Sequence, residues 1–181
     1  MKRIVVSLIA VAVMLGFGTA ASAQQFEFQQ NSKSVFLSGR GTQGEFIFLN
    51  AQRSITQVGD GDSGLGTVFI FIGAPVFPPF GRSFFARVPA RDIQVDVGDG
   101  TASVITTVPG LGQVNVTFQQ TGDVTQSQSQ FEFEGPGSQF QFSSQVDSRP
   151  ARGQGTLGPS TIRTTAFGLM SEAELESQPG Q

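Results

Sequence analysis

The chain has 181 residues and a net charge of −3, and it contains no cysteine, histidine, tryptophan or tyrosine. Without cysteine and histidine it has no disulfides, no Ser-His-Asp or Cys-His catalysis and almost no basis for a transition-metal site. The acidic balance makes nucleic acid an unfavourable partner. We therefore expect a non-enzymatic protein with no cofactor, calcium being the one alternative considered below.

The first 23 residues have the pattern of a cleavable export signal. Lys2 and Arg3 precede an apolar run, Ile4 to Leu15, and the segment ends in small residues at 21–23. The apolar run is shorter than the roughly 20 residues of a membrane-spanning helix. We expect cleavage near Ala23, a periplasmic or extracellular location, and no stable membrane insertion.

Residues 24–169 show short runs of alternating apolar and polar residues, as in Ile93 to Val97 and Val114 to Phe118. This period of two is typical of half-buried strands. Thr67 to Ile72 is continuously apolar, which is typical of a strand covered on both faces. The pattern predicts a single all-β domain, an antiparallel sandwich or small closed barrel of about nine to eleven short strands.

The turn from Gly59 to Gly64 resembles part of a calcium loop. It places Asp60 and Asp62 two residues apart, and carboxylate oxygens are ligands that calcium prefers. An EF-hand loop needs a further oxygen ligand where Gly64 stands and a glutamate where Phe71 stands. The pattern favours a structural turn, with calcium binding by the two aspartates as the alternative.

The segment from Ala74 to Arg91 combines prolines with phenylalanines and arginines. Its prolines block regular strand pairing, and aromatic residues with arginine are enriched at binding hot spots. We expect either rings that cap the core under arginine stems, or a loop that binds a protein, a glycan or a small apolar ligand. The candidate binding residues are Phe77, Phe80, Arg82, Phe84, Phe85 and Arg87.

Two hairpins can be predicted in register. The two-residue turn Asp99-Gly100 sets Val97 opposite Ala102. The turn at 135–138 has the Gly-Pro-Gly-Ser pattern of a type II turn. Its register pairs Phe131 with Phe142, Phe133 with Phe140, Glu132 with Gln141, and Glu134 with Gln139.

The second hairpin allows two interpretations. Its strands are those of an ordinary amphipathic sheet, and the glutamates discourage stacking between chains. Alternatively, such strands stack between copies, burying the rings and aligning the glutamines. In that case the self-association residues are Phe131, Phe133, Phe140 and Phe142.

Three segments lack a clear strand pattern. Residues 121–130 are polar and predict a loop or an edge strand, and Ser148 to Ser160 is Gly/Pro-rich and predicts a surface connection. Ser171 with Glu174 forms a capping box, which allows at most two helical turns. We expect residues 170–181 to form a short acidic tail that is helical or disordered.

The leading functional hypothesis is an exported binding or structural protein of the envelope or extracellular matrix. Such a protein self-associates or contacts an extracellular partner. The alternative is a sandwich or barrel that binds a small apolar ligand or glycan in a Phe-lined cleft. A hydrolase with paired carboxylates is the least favoured, because no spacing brings two acidic residues together.

Overall fold

A computed structural model describes residues 28–74, 81–135 and 138–179, leaving aside the side chains of residues 133–140, 178 and 179. The chain forms ten strands: β1 (Phe28–Gly41), β2 (Phe46–Val58), β3 (Gly61–Gly73), β4 (Gly81–Pro89), β5 (Ile93–Val97), β6 (Thr101–Val108), β7 (Gly112–Gln120), β8 (Thr125–Gly135), β9 (Ser138–Leu157) and β10 (Ser160–Pro179). A 3-10 turn, Ala90–Asp92, joins β4 to β5. No helix in the described ranges is long and apolar enough to cross a bilayer.

The strands form one open, antiparallel sheet in the order β4-β3-β2-β1-β10-β9-β7-β6-β5, with β8 paired to β9 beside the end of β7. The all-β prediction is therefore confirmed, and the number of strands lies in the expected range. Neither two separate sheets nor a closed barrel is confirmed. The strands are also longer than expected, since β9 and β10 have 20 residues each.

The sheet folds over itself, so that its last strand lies on the strands near its middle. Strand β5 packs against β1 and β2, although it is hydrogen-bonded only to β6. Ile93, Val95 and Val97 of β5 are buried and alternate with exposed residues. The face that they cover is called the inner face here. It carries the core, which includes Val35, Leu37, Ile47, Leu49, Val68, Ile70, Val104, Val116 and Met170.

The hairpin of β9 and β10 opens in its middle. The two strands pair next to their turn and again from Pro150 and Leu169 onward, but not in between. In the gap, β10 pairs with β1 and β9 pairs with β7, so the two halves of the sheet separate along this line. Thr165 bridges the gap: its Oγ1 accepts from the N–H of Gly153 at 3.0 Å and donates to its carbonyl at 2.8 Å.

The predicted acidic tail is wrong, because Ser171 to Glu176 lies within strand β10 and is neither helical nor disordered. This segment pairs with β1 on one side and with β9 on the other. Two ladders satisfy its backbone more completely than a two-turn helix can. Its glutamates also alternate with Ala173 and Leu175, a period of two that places all three carboxylates on one face, where Glu172 lies 3.6 Å from Lys33.

The predicted surface connection from Ser148 to Ser160 is also wrong, since β9 continues to Leu157. Its glycines mark close approaches within the sheet. A Cβ at Gly153 would collide with Leu37, and a Cβ at Gly155, where φ is 142°, would collide with the backbone of Asn115. The segment is glycine-rich because side chains do not fit there.

Both predicted hairpin registers are confirmed. Of the two alternatives for the polar residues 121–130, a loop or an edge strand, the edge strand is confirmed for Thr125 to Gln130. Val97 lies opposite Ala102, and Asp99-Gly100 forms the turn. All four predicted pairs of the second hairpin occur, with the turn residues 136 and 137 outside the described residues. The polar residues from Thr125 to Gln130 belong to the edge strand β8.

The bridge across the β9–β10 gap can be tested by Thr165→Val. This change keeps the shape of the side chain but removes the partner of two backbone groups, so we expect a loss of about 1–3 kcal/mol in the free energy of unfolding. Urea unfolding followed by far-UV circular dichroism measures it, because the chain has no tryptophan or tyrosine. The matched control is Thr117→Val, whose exposed hydroxyl donates to Gln154 at 3.4 Å. Equal losses in the two variants would show that the bridge contributes nothing.

Candidate interaction surface

The outer face of the first half of the sheet is covered with phenylalanine. In β2 and in β3 the triplet Phe-Ile-Phe occurs at 46–48 and 69–71, and strand alternation turns the isoleucines inward and the phenylalanines outward. Ile47 and Ile70 are fully buried. With three more rings on β4, β1 and β10, this surface forms the phenylalanine face: Phe36, Phe46, Phe48, Phe69, Phe71, Phe85 and Phe167.

The strand registers align these rings side by side. Phe85 lies opposite Phe69, and Phe71 lies opposite Phe48. Phe36 meets Phe48 edge to face at 4.8 Å between ring centroids, and it meets Phe167 at 5.6 Å. Edge-to-face pairs of this kind stabilise a sheet by about 0.5–1.5 kcal/mol each. The cluster therefore crosses the sheet from β3 to β10 as one surface.

These contacts leave much of the aromatic surface in water. Phe85 is 64% exposed and Phe167 is 54% exposed, while Phe46 and Phe69 are each 36% exposed. Single exposed apolar residues are ordinary on protein surfaces, but a contiguous group marks an interaction site. The rings of the phenylalanine face form a contiguous group, which makes this face the candidate interaction surface.

Charged residues avoid this face. In the described part of β1–β4 and β10, the charged residues that the register pairs on this face are Arg40 and Arg87, both at its margins. The residues next to the rings are mostly neutral and polar, among them Ser34, Gln52, Thr67 and Ser171. The carboxylates of β10 lie on the inner face, opposite residues such as Lys33. The face is thus aromatic, with its arginines at the margins and no carboxylate among its described residues.

The half of the sheet formed by β5, β6 and β7 has the usual distribution of apolar residues on the inner face and polar residues on the outer face. Along β5, β6 and β7 the buried residues are Val, Ile, Ala, Thr and Phe, and the alternating exposed or half-buried residues are mostly polar, such as Gln94, Asp96 and Asn115. Ile105, at 46% exposure, is the large hydrophobic exception on these strands. Because both halves belong to one chain, the aromatic character of the phenylalanine face is a local feature and not a general property of the composition.

The candidate binding residues between Phe77 and Arg87 do not form one described loop. Residues 81–89 are not a loop but strand β4, and the strand turns Phe84 toward the core and Phe85 to the outside. Arg82 and Arg87 are exposed. Phe77 and Phe80 lie outside the described residues. Only Phe85 of the described candidates joins the phenylalanine face, with Arg87 at its margin.

Among the described residues, the structure brings no further acidic side chain to the calcium site considered at Asp60 and Asp62. Asp60 and Asp62 are exposed at the turn between β2 and β3, where Asp62 lies opposite Gln57. Within the described ranges, no three acidic or histidine side chains come together in a way that could hold a metal ion. Calcium binding by the two aspartates remains a prediction.

The hairpin candidates lie at the far end of the sheet. Phe131 stacks on Phe142 with ring centroids 5.4 Å apart and planes 16° from parallel. Phe133 lies opposite Phe140 in the register, but the contacts of these two rings fall outside the described side chains. A band of serine, threonine and glutamine separates this pair from the phenylalanine face.

An open hollow of about 1030 Å³ lies beside the gap between β9 and β10. Its lining combines apolar and polar groups, and the polar side chains include Gln119, Arg152 and Arg163. Its one phenylalanine, Phe118, is only 2% exposed. This geometry differs from the Phe-lined cleft that the sequence analysis considered.

The signal for the phenylalanine face was present in the sequence. The run Thr67 to Ile72 and the segment at 46–49 are apolar on both faces, and for Thr67 to Ile72 this pattern predicts a strand covered on both faces. The same pattern also arises when one face is left for another molecule. Phe36 and Phe167 are isolated in sequence, Phe85 follows the inward-facing Phe84, and all three meet the other rings of the face only through register.

Comparisons with known proteins assign no family. No family model matches the chain, and no curated protein matches it. A solved structure from Nitrosomonas europaea, described as a "putative AttH", is similar over 91% of this chain with 12% identity and a TM-score of 0.45. This chain spans 57% of the length of that protein. A likeness at this level identifies neither family nor function.

The two neighbouring phenylalanines of β4 provide a test of these orientations. Phe84→Ala removes a ring packed on the core, and we expect it to lower the free energy of unfolding by about 2–3 kcal/mol. Phe85→Ala removes a mostly exposed ring and should cost less than about 1 kcal/mol in the monomer. Urea unfolding at low protein concentration compares the two. A larger loss for Phe85→Ala would mean that the strand faces are assigned the wrong way round.

Proposed function

We propose that this protein is an exported, non-enzymatic structural protein that associates with a second copy of itself through the phenylalanine face. The observation that carries the proposal is the set of seven outward-facing phenylalanines aligned across five neighbouring strands. Water contact with these rings is unfavourable by about 25 cal/mol for each Å² of apolar surface. Covering them is the simplest role for a surface of this composition.

The shape of the surface favours another sheet as its partner. Two sheets pack face to face at about 10 Å when side chains interdigitate. Five strands span about 24 Å, and the face from Phe46 to Thr56, which includes Arg40 and Arg87 at its margins, runs for about 33 Å along the strands. The resulting area of about 800 Å² matches one side of a standard protein interface.

The charge distribution favours a second copy over a membrane or nucleic acid. The whole chain is acidic, with net charge −3, which opposes binding to anionic lipid or nucleic acid. The phenylalanine face itself has no carboxylate among the described residues, so two copies meet there without repulsion between acidic groups. Arg40 and Arg87 lie at the margins, where they remain hydrated.

The association can be tested with the double variant Phe69→Ser, Phe85→Ser. These two rings lie opposite each other on β3 and β4, so their removal leaves a polar hole in the face. We expect light scattering after size-exclusion chromatography to show that the protein from residue 24 onward associates, with the dimer as the smallest associated species. In the double variant the dissociation constant should rise at least about tenfold, equivalent to about 1.4 kcal/mol.

The control for this experiment is Ile105→Ser, which removes an exposed hydrophobic residue from the outer face of β6. This variant should dimerise like the unmodified protein. The concentration range is about 1 μM to 1 mM, because interfaces of one size differ widely in affinity. A monomer throughout this range, or equal weakening by the control, would contradict the proposal.

Export is tested separately by expressing the full chain in a bacterial host. The segment of residues 1–23 predicts cleavage after Ala23, so the intact mass of the secreted or periplasmic product should correspond to a chain that begins at Gln24. Replacing Ala21 and Ala23 by bulky residues is the control and should block processing. Accumulation of the uncleaved chain in the cytoplasm would rule export out.

A further inference from the structure

Strand β8 has an unpaired edge. Strand β9 pairs with β7 along one half of its length and with β8 along the other half, on the same side. Strand β6 covers the far edge of β7 but ends at Thr101, opposite Gln119. Within the described residues no strand pairs with the outer edge of β8. The sheet is therefore narrower along the 11 residues of β8 than along β7, and this recess at its edge is called the notch here.

This edge has few of the usual devices that prevent strand pairing between molecules, since the charged residues among its 11 are Glu132 and Glu134 near one end. Proteins protect edges with proline, lysine, bulges or very short strands. Strand β8 has no proline, lysine or arginine, and its register with β9 is continuous. By contrast, β4 ends at Pro89 and carries two arginines, and β5 has only 5 residues. Residues 125–130 are exposed on both faces.

We propose that β8 pairs antiparallel with β8 of a second copy, with Gln130 of one copy opposite Gln130 of the other. Gln130 is the midpoint of Thr125–Gly135, so this register fills the whole notch. The two-fold axis is perpendicular to the sheet, and each residue keeps its face. The β8–β9 part of one copy and the β8–β9 part of the other then form one continuous sheet.

The side chains of this register are compatible. Glu132 lies opposite Gln128 of the other copy, so a carboxylate meets an amide. The chain already uses the same combination within its own hairpin, where Glu132 lies opposite Gln141. Phe131 lies opposite Ser129, and no pair of like charges faces across the junction. Carboxylate–amide pairs of this kind avoid the repulsion that like charges directly opposite produce.

This edge contact does not depend on the phenylalanine face, because the two surfaces are separate. Each contact alone has two-fold symmetry and closes a dimer. Together they join each copy to two different neighbours and generate an open chain of copies. The edge contact therefore adds polymerisation to the association proposed above.

Cysteine cross-linking tests the register directly, since the chain has no cysteine of its own. In Gln130→Cys the two introduced Cβ atoms face each other at about 4.5–5.5 Å, close to the separation that a disulfide needs. Mild oxidation should convert most of this variant to a covalent dimer. The matched control, Gln126→Cys, is exposed on the same face of the same strand, but its two copies lie about 26 Å apart in this register. It should remain largely uncross-linked.

Cross-linking is measured both in the unmodified background and with Phe69→Ser, Phe85→Ser present. The expected result is the same selective dimer in both backgrounds. Absence of the Gln130→Cys dimer, or equal cross-linking of Gln126→Cys, would overturn the edge contact. Loss of light-scattering dimers in the double phenylalanine variant would still support the proposed function in that case, so the two failures are distinguishable.

Discussion

The packing of β5 onto β1 and β2 is the contact on which the rest of the structure depends. Strand β5 ends the hydrogen-bonded order of the sheet, yet its buried Ile93, Val95 and Val97 lie on strands near the middle of that order. Without disulfides, burial of this kind has to offset the conformational entropy of folding. The gap between β9 and β10 makes this fold-back geometrically feasible, because the two halves separate where these strands part.

The same contact decides which surfaces remain for other molecules. The apolar part of the inner face is occupied by the chain itself, so the large apolar surface that remains exposed lies on the outer face. Half of the outer face is polar, as for most antiparallel sheets in water, and the other half carries the phenylalanine face. An exposed aromatic surface on a chain this rich in glycine, glutamine and serine favours association with a flat partner over chemistry at a site.

The extent to which the sequence predicts this structure depends on how local the determining interactions are. The registers of the hairpins at Asp99-Gly100 and at 135–138 follow from turn chemistry and were predicted correctly. The capping box at Ser171 is equally local, but two distant strands, β1 and β9, override it. The sequence does not show which of Phe84 and Phe85 faces the core. The prolines before them favour a loop, and without the start of β4 the strand alternation cannot be assigned. The phenylalanine face depends on long-range register, which no local pattern specifies.

The length of β1 and β10 has a consequence for the precision of the sheet. Their Gln-, Ser- and Glu-rich halves are polar apart from residues such as Ala173 and Leu175, and strands of that kind tolerate slippage, because a shift by two residues moves similar side chains into the same places. Here the other halves of the same strands are locked by Val35, Leu37 and Met170 in the core. The alignment of the polar part is therefore inherited along the chain from the buried part. The contact between Lys33 and Glu172 in the polar part then adds to an alignment that the buried part has already determined.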